Sequence, residues 1–218
     1  MKVYYAGKGD WCSQLVSSAL ITAQDSSHEY LSKQRLVFAW LFTSFDQAEV
    51  VQGITFRLCD SLPQEAVERM RVTAELDDDS RKRSRAEVFM NAGHGACYLR
   101  LPQIATNVEG ALLHFDRERY RLLAWVIMPN HVHVLAVQLT GFPLANVIHS
   151  WKSFTAKEAN RALGRTGAFW AREYYDRYIR NREHLARAID YIHYNPVKAV
   201  LVAAPEEWMF SSARLKMN

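Results

Sequence analysis

Two strongly apolar segments that nearly adjoin in the chain set the tightest limit on its fold. Residues 120–128 read YRLLAWVIM, residues 131–139 read HVHVLAVQL, and only Pro129 and Asn130 separate them. Apolar segments rich in β-branched and aromatic residues predict strands, and a Pro-Asn pair between them predicts a turn. We therefore expect residues 120–139 to form a hairpin or two adjacent strands.

Other segments of the chain predict further strands and helices. Residues 51–58 (VQGITFRL) favour a strand, whereas apolar residues recur at helical spacing in several later segments. Pro196 cannot continue a helical hydrogen-bond ladder, so the last helix is expected to bend or end near it. The predicted helices cover residues 63–75, 84–91, 103–115, 144–163 and 182–200, and residues 168–179 are expected to be partly extended.

The composition excludes several classes of protein. The 218 residues include 27 Lys and Arg, 23 Asp and Glu, and three cysteines, Cys12, Cys59 and Cys97. An odd number of widely spaced cysteines argues against a disulfide scaffold and against a cysteine-based zinc site.

The sequence has no apolar run near the ~18 residues of a membrane span, and its start lacks a signal-peptide pattern. We expect a cytoplasmic protein without membrane contact.

Positive charge is concentrated in the second half of the chain. Residues 121–218 carry 13 Lys and Arg against 7 Asp and Glu, whereas residues 1–120 carry 14 against 16. Cations bind phosphates and aromatic faces stack on unpaired bases, so a basic and aromatic region favours nucleic acid binding. A solvated basic face over an aromatic core explains the same pattern. The candidate DNA-binding residues are Lys152, Lys157, Arg172, Arg177, Arg180 and Arg182, with Trp151 and Trp170 as stacking or core residues.

A His-x-His pair opens the second apolar segment. His131 and His133 are two residues apart, so a strand would place both imidazoles on one face and Val132 on the other. Two imidazoles on one face can share a metal ion, but a third ligand is then needed. Two histidines near a strand start that bind nothing are the commoner explanation of such a pair taken alone.

The last predicted helix offers further donor types. Tyr191 and Asn195 are four residues apart and therefore lie on one helical face. A tyrosine hydroxyl can act as a covalent nucleophile, and an amide oxygen is a hard ligand suited to Mg²⁺ or Mn²⁺. Core packing of Tyr191 and a turn role for an Asn before Pro196 are the commoner explanations of these two residues in isolation.

Several longer motifs follow one another in order along the chain. They are GITFRLCDSLP (53–63), HFDRERYRLLAW (114–125), MPNHVHVL (128–135), SWKSFTAKEANR (150–161), GAFWAREYYDRYIR (167–180), YIHYNPVKAVLV (191–202) and EEWMFSSA (206–213). Together they resemble the REP-associated tyrosine transposases, a branch of the single-tyrosine HUH transposases of insertion sequences. The resemblance extends over roughly residues 45–213 and does not include the first 45 residues.

The resemblance implies a fold class and a domain division. The fold is α+β, a ferredoxin-like antiparallel sheet with helices packed on one face, which is the HUH endonuclease and transposase fold. Residues 46–218 would form this single-tyrosine transposase domain, and residues 1–45 would be an N-terminal extension of unknown role.

The resemblance also implies a reaction and its residues. His131, His133 and Asn195 match the family's metal ligands and would hold one divalent ion, Mg²⁺ or Mn²⁺. Tyr191 matches the nucleophile and would cut single-stranded DNA, folded as a hairpin from an imperfect palindrome at a REP element, through a 5′-phosphotyrosine. Rejoining of the strands would complete DNA transposition or recombination. Tyr194 is the nearest rival nucleophile, at a position where the family does not keep a tyrosine.

Other functions stay open on the sequence. A catalytically idle, transposase-derived protein could bind DNA sequence-specifically, although it has no need of all four candidate active-site residues. A metal-dependent hydrolase would use the histidines to activate water and would not need Tyr191. A purely structural protein fits the ordered motifs least well, and monomer and homodimer are both compatible with the sequence.

One departure from the family concerns the end of the last helix. This chain has Val200 where the family usually has glycine, in NPVKAGLV. Glycine would suit a helix C-terminus at which one residue takes a positive φ. A β-branched residue adopts that conformation only at a cost, so we expect backbone strain at Val200 if the helix ends there.

Overall fold

The protein was analysed as a computed structural model that describes residues 50–63 and 88–216. Short 3₁₀ helices cover Tyr98–Arg100, Pro205–Glu207 and Ser212–Lys216. The main elements, in chain order, are β1 (Val51–Leu58), α1 (Pro102–His114), β2 (Tyr120–Ile127), β3 (His131–Gln138), α2 (Leu144–Ala162), β4 (Trp170–Tyr178) and α3 (Arg182–Lys198).

The four strands form one antiparallel sheet in the order β2-β3-β1-β4. The chain passes through β1, α1, β2, β3, α2 and β4 in turn, which is the βαββαβ arrangement of ferredoxin-like folds. The expected ferredoxin-like α+β class is therefore confirmed. The predicted hairpin is confirmed as well, because β2 and β3 are joined through Pro129 and Asn130 and the N–H of Met128 donates to the His131 carbonyl at 2.8 Å.

The two crossover helices cover one face of the sheet. Phe56 of β1 stacks on Trp151 of α2, with ring centroids 6.4 Å apart, and meets the edge of Trp170 at 4.9 Å. The indole N–H of Trp151 donates to the Tyr120 hydroxyl at 2.9 Å, and that of Trp170 donates to Thr155 Oγ1 at 2.9 Å. Both tryptophans are thus core residues, and neither is available to stack on a base.

The third helix lies on the opposite face of the sheet. Neighbouring strand residues point to opposite faces, and Thr55, next to Phe56, hydrogen-bonds His133 on the face that α3 covers. The family resemblance implies helices on one face of the sheet. These are α1 and α2, whereas α3 lies on the other face. Helix α3 packs on β2 and β3, so these strands are covered on both sides, which explains why β3 is almost continuously apolar.

The C-terminal segment fixes α3 against the sheet. Ser212 Oγ accepts the backbone N–H of Trp125 at 2.9 Å and lies 2.9 Å from Nε2 of His193, on α3. The N–H of Ile127 donates to the Phe210 carbonyl at 2.8 Å, so the segment also occupies the outer edge of β2. The ending EEWMFSSA thus has a structural role in holding the last helix in place.

The start and the end of α3 follow from its sequence. At the start, the Asn181 side chain accepts the His184 backbone N–H at 2.8 Å and caps the helix. At the end, Val200 has φ 56°, its N–H donates to the Val197 carbonyl, and the next N–H donates to the Pro196 carbonyl. This is a Schellman motif with valine in the glycine position, as expected from the departure noted above.

Some predictions fall outside the described residues. They include the extension at residues 1–45, the helix at residues 63–75 beyond Pro63, and the first four residues of the helix at residues 84–91. The domain boundary at residue 45 stays a prediction for the same reason. Within residues 50–63 and 88–216, none of the helices has the length and apolar character required to cross a bilayer.

Replacing Val200 by glycine should stabilise the protein. The side chain is 90% exposed and so loses little packing, while glycine removes the steric cost of the positive φ. We expect the free energy of unfolding to rise by about 1 kcal/mol, seen as a melting temperature ~2–4 °C higher. Ala199→Gly is the matched control, because Ala199 has φ −82° and glycine there should only destabilise. Equal loss of stability in both variants would contradict the assignment of backbone strain to Val200.

Candidate active site

Strand β3 brings the two predicted metal-binding histidines together. His131 and His133 lie on the same face of the sheet, with their ring centroids 4.7 Å apart and Val132 on the face of the crossover helices. His131 is fully buried and His133 is 5% exposed. The prediction that a strand would align both imidazoles is therefore confirmed in its geometry.

A hydrogen bond on each Nδ1 orients each imidazole. Nδ1 of His131 lies 2.8 Å from Oδ1 of Asn130, and Nδ1 of His133 lies 2.8 Å from the Thr55 hydroxyl. The Asn130 amide orientation is set because its Nδ2 donates to the His94 carbonyl at 2.9 Å. An amide oxygen only accepts, so Nδ1 of His131 carries the proton and its Nε2 presents a lone pair.

Within the described part of the chain, each of these two histidines keeps one ring nitrogen without a hydrogen bond, as a metal ligand requires. Nε2 of His131 and Nε2 of His133 are buried and have no hydrogen-bond partner among the described residues. Burial lowers the pKa of His133 to about 3, and burial together with the nearby His133 lowers the pKa of His131 well below its usual value. Both imidazoles are therefore neutral at neutral pH, which is the form that binds metals.

Helix α3 supplies the tyrosine and the amide. The ring centroid of half-buried Tyr191 lies 5.4 Å from that of His133. A cleft beside α3 is lined by Tyr191 and His184 of this helix and by His133 and Leu135 of β3. Asn195 is one helical turn, roughly 6 Å, beyond Tyr191 on α3.

The chemistry of these donors fits a divalent ion. Asn195 is fully buried, and both Oδ1 and Nδ2 lack a hydrogen-bond partner within residues 50–63 and 88–216. Unpaired buried polar atoms are costly, and here four of them belong to His131, His133 and Asn195. In the described part of the chain, no group of three or more His, Cys, Asp and Glu side chains could hold a metal ion. The amide oxygen of Asn195 is a donor of a different type, and it has the hard character that suits Mg²⁺ or Mn²⁺.

A basic cleft opens beside the tyrosine. It has a volume of about 590 Å³ and is lined by Tyr191, by His133 and by the basic residues Arg177, Arg180, His184 and Arg187. Burial, and then the charges of the three arginines, lower the pKa of His184. The field in this cleft is positive, as a phosphate-binding groove requires.

The structure places only part of the predicted DNA-binding set in this cleft. Arg177 and Arg180 line it. Nζ of Lys152 instead donates to the carbonyls of Ala171 and Arg172, at 2.7 and 2.9 Å, and so fastens α2 to β4. Burial is the main reason that the pKa of Lys152 is lowered, while Glu173 raises it and Arg57 lowers it further. The remaining candidates, Lys157, Arg172 and Arg182, are exposed outside the lining of the cleft.

Several residues of the site were not predicted from the sequence. Asn130 adjoins the His-x-His pair, and its place in MPNHVHVL is a signal that could have identified it. Thr55 carries no such signal, because it meets His133 only through the pairing of β1 with β3. Lys198 also belongs here, since its Nζ lies 4.8 Å from the centroid of the Tyr191 ring, within cation–π distance.

Loss of the Asn130 side chain should weaken metal binding. Without the Oδ1 acceptor, His131 is no longer held in the tautomer that presents Nε2, and such supporting contacts are worth roughly 10–100-fold in affinity. We expect Asn130→Ala to lower Mn²⁺ affinity by about that factor in calorimetric titration. Asn160→Ala is the matched control, because Asn160 also donates to a carbonyl, that of Gly167, away from the site. Equal Mn²⁺ affinity in the two variants would contradict this role.

Comparison with known proteins gives this geometry a family context. Residues 109–195 match the family model described as "Transposase IS200 like", and that segment contains His131, His133, Tyr191 and Asn195. A REP-associated tyrosine transposase of Escherichia coli is 28% identical over 103 residues, covering 47% of this chain and 60% of that protein. A Haemophilus influenzae relative described under the same family name is also 28% identical over 103 residues, covering 43% of this chain and 58% of the relative. The chain thus matches about three fifths of the length of these curated relatives.

Two solved structures also resemble the chain. A REP-associated tyrosine transposase bound to a REP hairpin has a TM-score of 0.48 at 19% identity, over 76% of this chain and 77% of that one. A transposase-like protein of Deinococcus radiodurans has a TM-score of 0.30 at 14% identity, over 65% of this chain and 86% of that one. The resemblance seen in the sequence is confirmed: residues 109–195 match the IS200-like transposase family model, and the chain is similar to REP-associated tyrosine transposases.

Proposed function

We propose that the protein cuts and rejoins single-stranded DNA through a covalent bond to Tyr191. The observation that carries the proposal is the position of the Tyr191 ring, 5.4 Å from the ring of His133, on the face where both histidines present an unpaired Nε2. A nucleophile beside a neutral imidazole pair and a buried amide is an arrangement suited to phosphoryl transfer.

His131, His133 and Asn195 are the residues that would hold the ion, and Mg²⁺ or Mn²⁺ suits their nitrogen and oxygen donors. Such an ion, when bound, neutralises charge on the oxygens of the scissile phosphate. Hydrogen bonds within the chain orient these donors. Thr55 and Asn130 bond the imidazoles of His133 and His131, and Ser212 bonds His193 and so fixes α3.

The covalent step balances without a further reactant. The Tyr191 oxygen attacks the phosphorus, a bond forms between them, and the bond from phosphorus to the 3′ oxygen breaks. The phenol proton is lost, and the 3′ oxygen gains a proton to become a free 3′-hydroxyl. The phosphodiester energy is retained in the 5′-phosphotyrosine, so a 3′-hydroxyl of DNA can reverse the step and rejoin a strand.

The basic cleft supports single-stranded DNA as the substrate. Arg177, Arg180 and Arg187 surround the approach to Tyr191 and can neutralise successive phosphates. The related transposase structure holds a REP hairpin, and the substrate we propose here is likewise a hairpin formed by an imperfect palindrome. The cytoplasm, where such DNA is found, is the location that we propose for the protein.

A DNA-binding protein without catalysis is the second candidate. It would share the basic cleft, but it would gain nothing from the unpaired polar atoms of His131, His133 and Asn195, which are buried. Leaving such atoms unpaired costs roughly 1–3 kcal/mol each, so a protein that only bound DNA would be more stable with apolar residues at these positions. The site chemistry therefore favours the enzyme.

Replacing Tyr191 by phenylalanine should abolish the covalent product and leave DNA binding intact. The test uses labelled hairpin DNA from beside the protein's own gene, with Mg²⁺ or Mn²⁺, and a denaturing gel that retains covalent complexes. We expect a metal-dependent band with the native protein and none with Tyr191→Phe. Tyr194→Phe is the matched control, because Tyr194 is three residues away on the same helix and 50% exposed.

Three results would contradict the proposal. A covalent band that survives Tyr191→Phe would assign the nucleophile to another residue. Strand cleavage without any covalent band, unaffected by Tyr191→Phe, would identify a hydrolase that activates water. Binding of several hairpins with no cleavage by the native protein would favour the idle DNA-binding protein.

The cleft arginines should account for much of the DNA affinity. Removing one phosphate contact from single-stranded DNA lowers the slope of log affinity against log salt by ~0.7. We expect Arg177→Gln and Arg180→Gln each to weaken binding and reduce this slope by about that amount in fluorescence anisotropy. Lys157→Gln serves as the control, since Lys157 is exposed on α2, across the sheet from the cleft. An equal change in slope with Lys157→Gln would show that the cleft is not the DNA path.

A further inference from the structure

A buried arginine lies beside the metal-binding histidines and has no assigned role. Arg57 of β1 pairs with His131 of β3, and residues directly opposite each other in adjacent strands share a face. Thr55, two residues earlier on β1, is opposite His133 and hydrogen-bonds it, which confirms the face. Arg57 and Thr55 therefore stand next to the two histidines on the side of the sheet that holds Tyr191.

The guanidinium of Arg57 has few hydrogen-bond partners within the described part of the protein. Arg57 is only 9% exposed, and its Nε is buried with no hydrogen-bond partner among the described residues. Nη1 contacts only the Leu58 carbonyl at 3.4 Å and the Ser61 hydroxyl at 3.5 Å, both at the limit of a hydrogen bond. In residues 50–63 and 88–216, the ion pairs found do not include Arg57.

The surrounding charge makes this position more unfavourable still. The ammonium of Lys152 is close enough for its titration to sense Arg57, and Lys152 is already committed to two carbonyls of β4. A buried cation is normally kept with a carboxylate or several hydrogen bonds, because burial removes its hydration. Among the described residues Arg57 has no ion pair and only the two long contacts of Nη1, so its guanidinium is suited to bind an added anion.

We propose that Arg57 binds the scissile phosphate of the DNA substrate. The proposal rests on the proposed function, since it takes the phosphate to lie beside Tyr191, His131 and His133. A guanidinium presents two parallel N–H donors that match two phosphate oxygens. Arg57 would thus hold the phosphate in register with Tyr191, and would stabilise the charge that grows on its oxygens as Tyr191 attacks.

A purely structural role predicts the opposite effect on stability. If Arg57 mainly joined β1 to Ser61, its replacement would lower the melting temperature. If instead Arg57 is a buried cation awaiting a phosphate, Arg57→Met should leave the melting temperature of the DNA-free protein unchanged or raise it, because an apolar side chain fits burial better. We expect Arg57→Met to slow formation of the covalent product by ~100-fold under single-turnover conditions, and Arg57→Lys to recover part of the rate.

The decisive experiment removes the charge from the phosphate and from the protein in turn. DNA is made with a neutral methylphosphonate at the cleavage position, mapped first with the native protein, and binding is measured with Tyr191→Phe protein so that no reaction occurs. We expect the methylphosphonate to weaken binding by ~10-fold when Arg57 is present, and by less than ~2-fold in the Arg57→Met, Tyr191→Phe double variant. A methylphosphonate three nucleotides away is the control and should affect both proteins equally.

The outcomes separate this proposal from the proposed function. A native protein that forms the covalent product, with an equal methylphosphonate effect in both variants, overturns the role of Arg57 and keeps the enzyme. A lower melting temperature for Arg57→Met together with unchanged single-turnover rates also overturns it. If the native protein forms no covalent product on any hairpin, the proposed function is overturned. The role of Arg57 in this reaction is then overturned as well.

Discussion

The pairing of β1 with β3 is the constraint on which the site depends. This register puts Thr55 opposite His133 and Arg57 opposite His131, and so decides which side chains meet the imidazoles. The same alternation sends Phe56 and Val132 to the other face, where α1 and α2 cover them. A shift by one residue would exchange the two faces and bury the histidines under the crossover helices, so the apolar core protects the register of the site.

The site keeps polar groups unpaired in a place where proteins normally pair them. Both Nε2 atoms, the Asn195 amide and the Nε of Arg57 are buried and lack partners in the described part of the chain. Each costs stability in the free protein, and each is complementary to a metal ion or a phosphate. The large apolar core around Phe56, Trp151 and Trp170 offsets this cost and holds the strands still.

Local sequence patterns predicted the main described elements and which of the candidate site residues share a face. Strand alternation predicted that His131 and His133 share a face, and helical spacing predicted the same for Tyr191 and Asn195. The sequence did not reveal Thr55, whose bond to His133 joins residues 78 positions apart through strand pairing. Charge alone also did not show that the ammonium of Lys152, a candidate for DNA binding, donates to the carbonyls of Ala171 and Arg172.

We propose that Tyr191, and no other residue, bears the DNA after cleavage. The most direct test is to digest the covalent complex formed on hairpin DNA with protease and nuclease, and to locate the remaining nucleotide by tandem mass spectrometry. The account predicts a 5′-linked nucleotide on Tyr191, the tyrosine whose ring lies against His133. A nucleotide on Tyr194, or one linked through its 3′ end, would contradict it.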